Sequence, residues 1–426
     1  MTSTDKIWSD INRDFGFVDR IAKEGQFVIT ANEIKPYKEP RLVTKFDSSE
    51  DLPQIFKDNH LSILPISRGT YIISDIETFM PLQEVKTKPK AVAVTSNFTT
   101  VSLATISSES QAINFAISIG LIDGFVEDQR LFATLDSRQG SGQFDFYINR
   151  HSGGNMPVCV NNAQIEIDKC LEGEKAIVII EAKKDRIMPD FMERQLYYPY
   201  RMIRNMGGNK EIKNLFFSYN NGIIDLREYR VEDYMNYNSM TLIKQGRFFL
   251  YDSFSKITKE ILYDRIIHTP VIDEPDGIPF PQANTFDRVV SLCERLRIGS
   301  AVPNDLIYII GVTTSRQAYY YMDAAKYLGL VQMEDGMCSL TTKGKNIQKE
   351  MPYQRMLSYI MCILSFRPFR ETFLKWLRVG EIPSQEEIIS IMKSTPNIQV
   401  FGDNVYVRRA STIKRWIKYI IQNIEN

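Results

Sequence analysis

Ala163-Gln-Ile-Glu-Ile-Asp168 and Ala176-Ile-Val-Ile-Ile-Glu-Ala-Lys183 are two strand-forming runs joined by a turn through Gly173. Side chains alternate between the faces of a strand, so Glu181 and Lys183 share one face. The rest of the second run is nearly all apolar, the pattern of a central strand covered on both sides. Asp168 is expected to end the first strand, where a hairpin would set its carboxylate beside Glu181. Charged side chains on such a strand are costly unless something compensates them. A bare ExK pair also occurs where a strand simply reaches solvent, but here the upstream Asp168 and the downstream Gln195 agree with a site. Phosphodiester hydrolysis needs this chemistry: carboxylates hold a divalent cation that activates water, and an ammonium steadies charge growing on phosphate.

Outward from these strands, Ser107 to about Val126 predicts a helix, with Ser107 or Ser108 as cap and Ala112, Phe115, Ala116 and Ile119 near a 3.6-residue period. Gly140-Ser-Gly142 breaks the chain before a short strand at Phe144–Ile148. A helix is expected from about Asp190 through Arg204, then strands at Asn214–Tyr219 and Arg247–Tyr251. Residues 1–100 contain a hairpin between Leu61 and Ile73 with its turn at Arg68-Gly69, and carry a scaffolding or DNA-contact role. Residues 101–269 form the core and Pro270–Pro281, with four prolines and a glycine, a linker.

Beyond the linker, helices at Phe286–Leu296, Pro303–Ile310 and Ser315–Leu328 precede a hairpin turning at Asp335-Gly336. That is the winged-helix order, assigned to residues 282–350. Residues 351–426 echo it. Helices are expected near Gln354–Leu364, Arg370–Val379 and Ser384–Met392, then a strand pair around Gly402-Asp403 and a helix over Ala410–Ile424.

The 426 residues are 43% hydrophobic and 24% charged, an ordinary globular composition with room for several domains. No apolar run reaches the roughly 18 residues of a membrane span, and the N-terminus lacks a signal-peptide core, so a cytoplasmic protein is expected. Five dispersed cysteines without a CxxC pair speak against a zinc site or disulfide framework, and three histidines against a His-based metal site. A carboxylate-held hard cation such as Mg²⁺ fits better. Net charge is zero, but from Gln282 onward 19 Lys/Arg face 13 Asp/Glu. A basic C-terminal third beside an acidic remainder fits a nucleic-acid-binding module joined to a carboxylate-bearing domain.

The string QIEID…EGEKAIVIIEAKKD…DFMERQLYYPYR resembles the PD-(D/E)xK nuclease core of a group of type II restriction endonucleases, with an acidic strand, an IEAK strand and a helix in that order. FFSYNNGIIDLREY and YVRRASTIKRWIKYI also resemble that group, so the likeness runs from about Ser107 to the end. It implies an α/β (α+β) restriction-endonuclease-like core with mainly helical winged-helix C-terminal domains. It further implies that Asp168 and Glu181 bind Mg²⁺, that Lys183 is the catalytic lysine and that Gln195 is the glutamine following the ExK strand. Glu109 is either an outer metal ligand or a solvated helix carboxylate, and Glu166 either supports Asp168 or belongs to the surface. Ile167 stands where the family has proline, and Asp145, 36 residues before Glu181, competes with Asp168 as first ligand. The expected reaction is site-specific hydrolysis of double-stranded DNA to 5′-phosphate ends by a homodimer, with a cognate DNA methyltransferase in the same system. The alternatives are a DNA-binding regulator with an inert core and a structure-specific repair nuclease; the lack of a GxxxxGK[ST] motif argues against a P-loop ATPase.

For the DNA-reading end, Thr313-Thr-Ser-Arg-Gln-Ala-Tyr-Tyr-Tyr321 opens the third helix, where Arg316, Gln317 and Tyr319 can reach phosphates or base edges. At least one of Tyr319–Tyr321 is expected in the module's own core. Lys343 is a further phosphate contact. Arg408, Arg409, Lys414 and Arg415 lie in RRASTIKRWIK, which has five basic residues and no acidic one. A solvated helix face is the alternative there, and Trp416 is expected in the core.

Overall fold

The computed structural model describes residues 3–424 except 86–88, 95–97, 99, 185–187, 252–256 and 313. Helices α1 (Ser3–Phe15) and α2 (Phe17–Glu24) meet at Gly16, whose φ of 59° suits glycine. Strand β1 (Phe27–Thr30), helices α3 (Ala31–Ile34) and α4 (Gln54–Asp58), and the hairpin β2 (Ser62–Ser67) and β3 (Thr70–Ser74) follow. The hairpin turns at Arg68-Gly69 as the sequence suggests. Trp8, Phe17 and Phe56 pack edge-on or tilted within this region's own core. Strands β4 (Phe79–Pro81) and β5 (Lys90–Ala93) lead away from it.

The expected 107–126 helix is two helices, α5 (Glu109–Ser118) and α6 (Leu121–Val126), because Gly120 takes a φ of 70° between them. Ser108 caps α5 by accepting from the Gln111 amide. Strands β6 (Phe132–Gly140), β7 (Gln143–Asn149), β8 (Asn155–Asn161), β9 (Gln164–Glu172), β10 (Ala176–Lys184) and β11 (Asp190–Met192) precede helix α7 (Arg194–Met206). The segment from Asp190 thus begins extended, and the helix starts at Arg194. Strands β12 (Glu211–Asn220), β13 (Ile223–Val231) and β14 (Met240–Tyr251) complete a mixed sheet of order β5-β14-β13-β12-β10-β9-β6. A second sheet of order β1-β3-β2-β8-β7 joins the N-terminal strands to the 143–161 hairpin. Residue 100 is therefore not a spatial boundary: β7 and β8 belong with the N-terminal sheet, and β5 with the central one.

Strand β10 is antiparallel to β9 and parallel to β12. Its even positions Ala176, Val178, Ile180 and Ala182 bury in the core that includes α5, and Ile179 in the core that includes α7. Period two then aims Glu181 and Lys183 to the α7 side.

The C-terminal region comprises α8 (Lys259–His268), α9 (Phe286–Leu296), α10 (Pro303–Ile309), α11 (Ser315–Tyr327), β15 (Val331–Glu334), β16 (Met337–Leu340), α12 (Thr342–Lys349), α13 (Pro352–Leu364), α14 (Arg367–Val379), α15 (Gln385–Lys393) and α16 (Asp403–Gln422). Helices α9 to α11 and the β15–β16 hairpin follow in the expected order. Two expectations are corrected. The strand pair around Gly402-Asp403 is absent from the described residues, because Asp403 opens α16 and Asn404–Val407 form its first turns. A single apolar core from Ile257 to Ile424 unites α8 and both supposed modules. The Pro-rich 270–281 segment lies on this core rather than bridging open space. Phe280 is buried, Ile272 bridges to Phe366, and Glu274 accepts from the Tyr327 hydroxyl at 2.8 Å.

Candidate active site

Asp168 does not end β9, which runs on to Glu172. The β9–β10 ladder pairs residues 169–172 with 177–180 and goes no further. Past that point Asp168 Oδ2 accepts the Ala182 amide at 2.8 Å, taking the place of a strand carbonyl. Glu181 Oε1 accepts from Lys183 Nζ at 2.7 Å and from Gln195 Nε2, on the first turn of α7, at 2.6 Å. Glu109, the first residue of α5, accepts the Lys184 amide through Oε1 at 3.3 Å. The structure thus brings Asp168, Glu181, Lys183, Gln195 and Glu109 together.

The electrostatics follow from burial and crowding. Burial raises the Glu181 carboxyl to about 8 and, with Asp168 and Asp47 nearby, outweighs the lowering by Lys183. Burial likewise raises Asp168, helped by Glu166 and Asp47, and it raises Glu109 beside Asp168 and Asp47. Burial alone would lower the Lys183 ammonium, but Glu181, Asp47 and Glu109 together hold it well above its ordinary value. The centre is a crowd of carboxylates around a firmly protonated lysine.

Asp47 was not anticipated. Its Oδ1 accepts from Gln195 Nε2 at 3.0 Å and lies 3.5 Å from Lys183 Nζ. The residue sits in a loop of the region expected only to scaffold or touch DNA, and an acid in Phe46-Asp-Ser-Ser-Glu-Asp51 looks like any helix-capping turn. Only the tertiary fold distinguishes it. Glu166 points to the surface and pairs with Lys45 at 2.6 Å. Asp145 is exposed on β7, in the other sheet, and is not part of the cluster.

Among the described residues no three His, Cys, Asp or Glu side chains form a ready ligand set. The donor chemistry nevertheless suits a hard cation: carboxylate oxygens in excess over the lysine, each disfavoured in its charged form by burial and by the others. Mg²⁺ commonly needs only one or two protein carboxylates beside water and phosphate. Gln195 adds a buried Oε1 without a partner among the described residues, an acceptor suited to a water.

Of the residues expected to read DNA, Arg316, Gln317 and Tyr319 are exposed on the first turn or two of α11, and Thr313 lies outside the described residues. Arg316 Nε donates to Tyr320 Oη at 2.8 Å. Tyr321 is buried, as expected of at least one of the three tyrosines. Gln317 completes a capping box with Thr314, which limits its freedom to reach outward. Lys343 is exposed, and its ammonium donates to the Leu328 carbonyl at 3.0 Å, at the far end of α11 from Arg316. On α16, Arg408 and Arg415 are exposed and Lys414 is half-buried. Arg409 is half-buried, and its Nη1 donates to Gln282 Oε1. Trp416 is buried and donates to Ala283 O at 2.6 Å.

Three family models match the chain in succession, over residues 5–73, 74–249 and 288–425, each described only as a domain of unknown function (DUF6996, DUF6997 and DUF7226). No curated protein and no solved structure matches. Asp47 falls within the first model, the other clustered residues within the second, and the exposed basic residues within the third.

Proposed function

We propose that this protein is a type II restriction endonuclease that hydrolyses double-stranded DNA at a specific sequence with Mg²⁺, leaving 5′-phosphate ends. The observation that carries it is the Asp168–Glu181–Lys183–Gln195 cluster on and beside β10, with Glu181 and Lys183 buried and Asp168 and Gln195 half-buried. A fold does not retain so many unfavourably buried carboxylates for packing alone. The order of acidic strand, ExK strand and following helix also agrees with the family the sequence resembles.

Asp168 and Glu181 would hold Mg²⁺, which when bound supplies a more acidic water and charge neutralisation at the phosphate. Lys183, kept protonated, orients the nucleophilic water and lends positive charge to the pentavalent transition state. Gln195 fixes Glu181 through Nε2 and offers Oε1 to the water. Arg316, Tyr319, Arg408 and Arg415 form a basic face for duplex phosphates and base edges, with winged-helix geometry for α9–α11 and the β15–β16 hairpin. Palindromic targets imply a homodimer, and a partner methyltransferase would protect the host sequence.

The test is incubation with plasmid and phage DNA in Mg²⁺ and in EDTA. Discrete fragments that require Mg²⁺ are expected. Tight, salt-sensitive binding without cleavage would leave a DNA-binding regulator, and preferential cutting of branched substrates a repair nuclease.

A further inference from the structure

We infer that Asp47 is a positioning residue of the reaction centre, so that the N-terminal region supplies a working part of the site. The inference rests on the proposed hydrolytic reaction and adds to it a residue from a loop of the N-terminal region. Asp47 closes a ring. Its Oδ1 meets Gln195 Nε2 at 3.0 Å and Lys183 Nζ at 3.5 Å, and the same two nitrogens meet Glu181 Oε1 at 2.6 and 2.7 Å. Lysine is a point charge on a flexible stem, and one carboxylate fixes its distance but not its direction. A second carboxylate across from Glu181 fixes both. The same holds for the Gln195 amide, whose two N–H donors are set by the two acids, so that Oε1 is aimed by default.

The loop that carries Asp47 is built to stay in place. Ser48 caps the turn over 49–51 in a box with Asp51. Asp190 on β11 accepts from Ser48 Oγ at 2.6 Å, from the Ser49 amide at 2.8 Å and from the Ser49 hydroxyl. The Met192 amide donates to Asp47 O at 3.0 Å. On the other side Lys45 pairs with Glu166, two residues before Asp168. The loop is thus tied both to the strand bearing Asp168 and to the segment leading into Gln195. Such anchoring is what a group needs if it must hold others within a fraction of an ångström.

The experiment compares the wild type with Asp47→Asn, Asp47→Ala, Gln195→Ala and the Asp47→Ala/Gln195→Ala double variant. Single-turnover cleavage is measured in Mg²⁺, DNA affinity in Ca²⁺, and melting temperature for each. Asp47→Ala is expected to slow cleavage about 100-fold, and Asp47→Asn, which keeps an oxygen acceptor, by less. Affinity stays unchanged and the melting temperature does not fall. The double variant is expected to be scarcely slower than the slower single, because the two residues act as a unit. Cleavage by Asp47→Ala within threefold of wild type would overturn the inference. So would losses that multiply in the double variant, or that follow the melting temperature or affinity. A wild type that cleaves no DNA would overturn the proposed function and this inference together, whereas an active wild type with an equally active Asp47→Ala overturns this one alone.

Discussion

Asp168, Glu181 and Glu109 all have carboxyls raised by burial, so in the metal-free protein their charged forms weigh against folding. A raised carboxyl in the folded state holds a proton that the unfolded chain has already released. The stability it contributes is therefore present in the ordinary carboxylate range and lost as pH rises through the folded value, about 8 for Glu181. Between about pH 5 and 8 the metal-free wild type is expected to lose stability in thermal melts. Asp168→Asn keeps an acceptor for the Ala182 amide and removes one charge from the crowd. It is expected to melt higher than wild type at pH 8, by an amount that shrinks toward pH 5, while cleaving no DNA. An Asp168→Asn protein that melts lower at pH 8 would contradict this account of the centre. At this scale the sequence was informative: strand period and hairpin spacing pointed to Asp168, Glu181 and Lys183, and the resemblance to the nuclease core added Gln195 and Glu109. Asp47 stayed hidden because nothing local marks a loop acid 134 positions before Glu181 as its neighbour in space.

Elements were legible where local pattern and tertiary packing agree. The β10 run, the 62–74 hairpin and helices α9, α11 and α13 all stand near where their periodicity puts them. They were misread where two patterns overlap. Ile398 to Val407 alternates around Gly402-Asp403 as a hairpin would, yet Val405, Tyr406, Ala410 and Ile413 pack at helical spacing on the C-terminal core. Burial against that core outweighs the local turn signal. Asp190 shows the reverse dependence: expected to open a helix, it stands on β11 and holds the 48–49 turn in place. Asp190→Ala removes a charged acceptor from three donors, at a cost of about 1.5–3 kcal/mol. Urea denaturation is expected to show that loss, together with slower cleavage at unchanged DNA affinity. Unaltered cleavage would mean that residues 46–51 keep their position without it.

Across the whole molecule, the C-terminal region docks on the central sheet through buried polar contacts. Arg297 donates to Ala104 O at 2.6 Å and Ile106 O at 2.7 Å, just ahead of α5 and Glu109. Arg355 pairs with Glu294 at 3.1 Å and reaches Asn221, Glu350 O and Ala104 O. Removing one partner of such a buried pair strands the other, so Arg355→Ala is expected to cost about 3–5 kcal/mol in denaturant unfolding. In the sequence's basic C-terminal third, Arg316 is exposed on α11 and Arg408 and Arg415 are exposed on α16. If Arg408 and Arg415 each contact a phosphate, replacing both with alanine is expected to weaken binding to all duplexes alike. It should also reduce the salt dependence of the affinity by about two counterions. A change confined to one sequence would assign them to base reading instead.

The most direct test of the central claim is cleavage and binding measured side by side for the wild type and Lys183→Ala on one DNA containing a mapped site. The account predicts Mg²⁺-dependent fragments with 5′-phosphate ends from the wild type, and from Lys183→Ala full DNA affinity with no cleavage. Equal cleavage by both proteins would contradict it, because hydrolysis would then arise somewhere other than the cluster on β10.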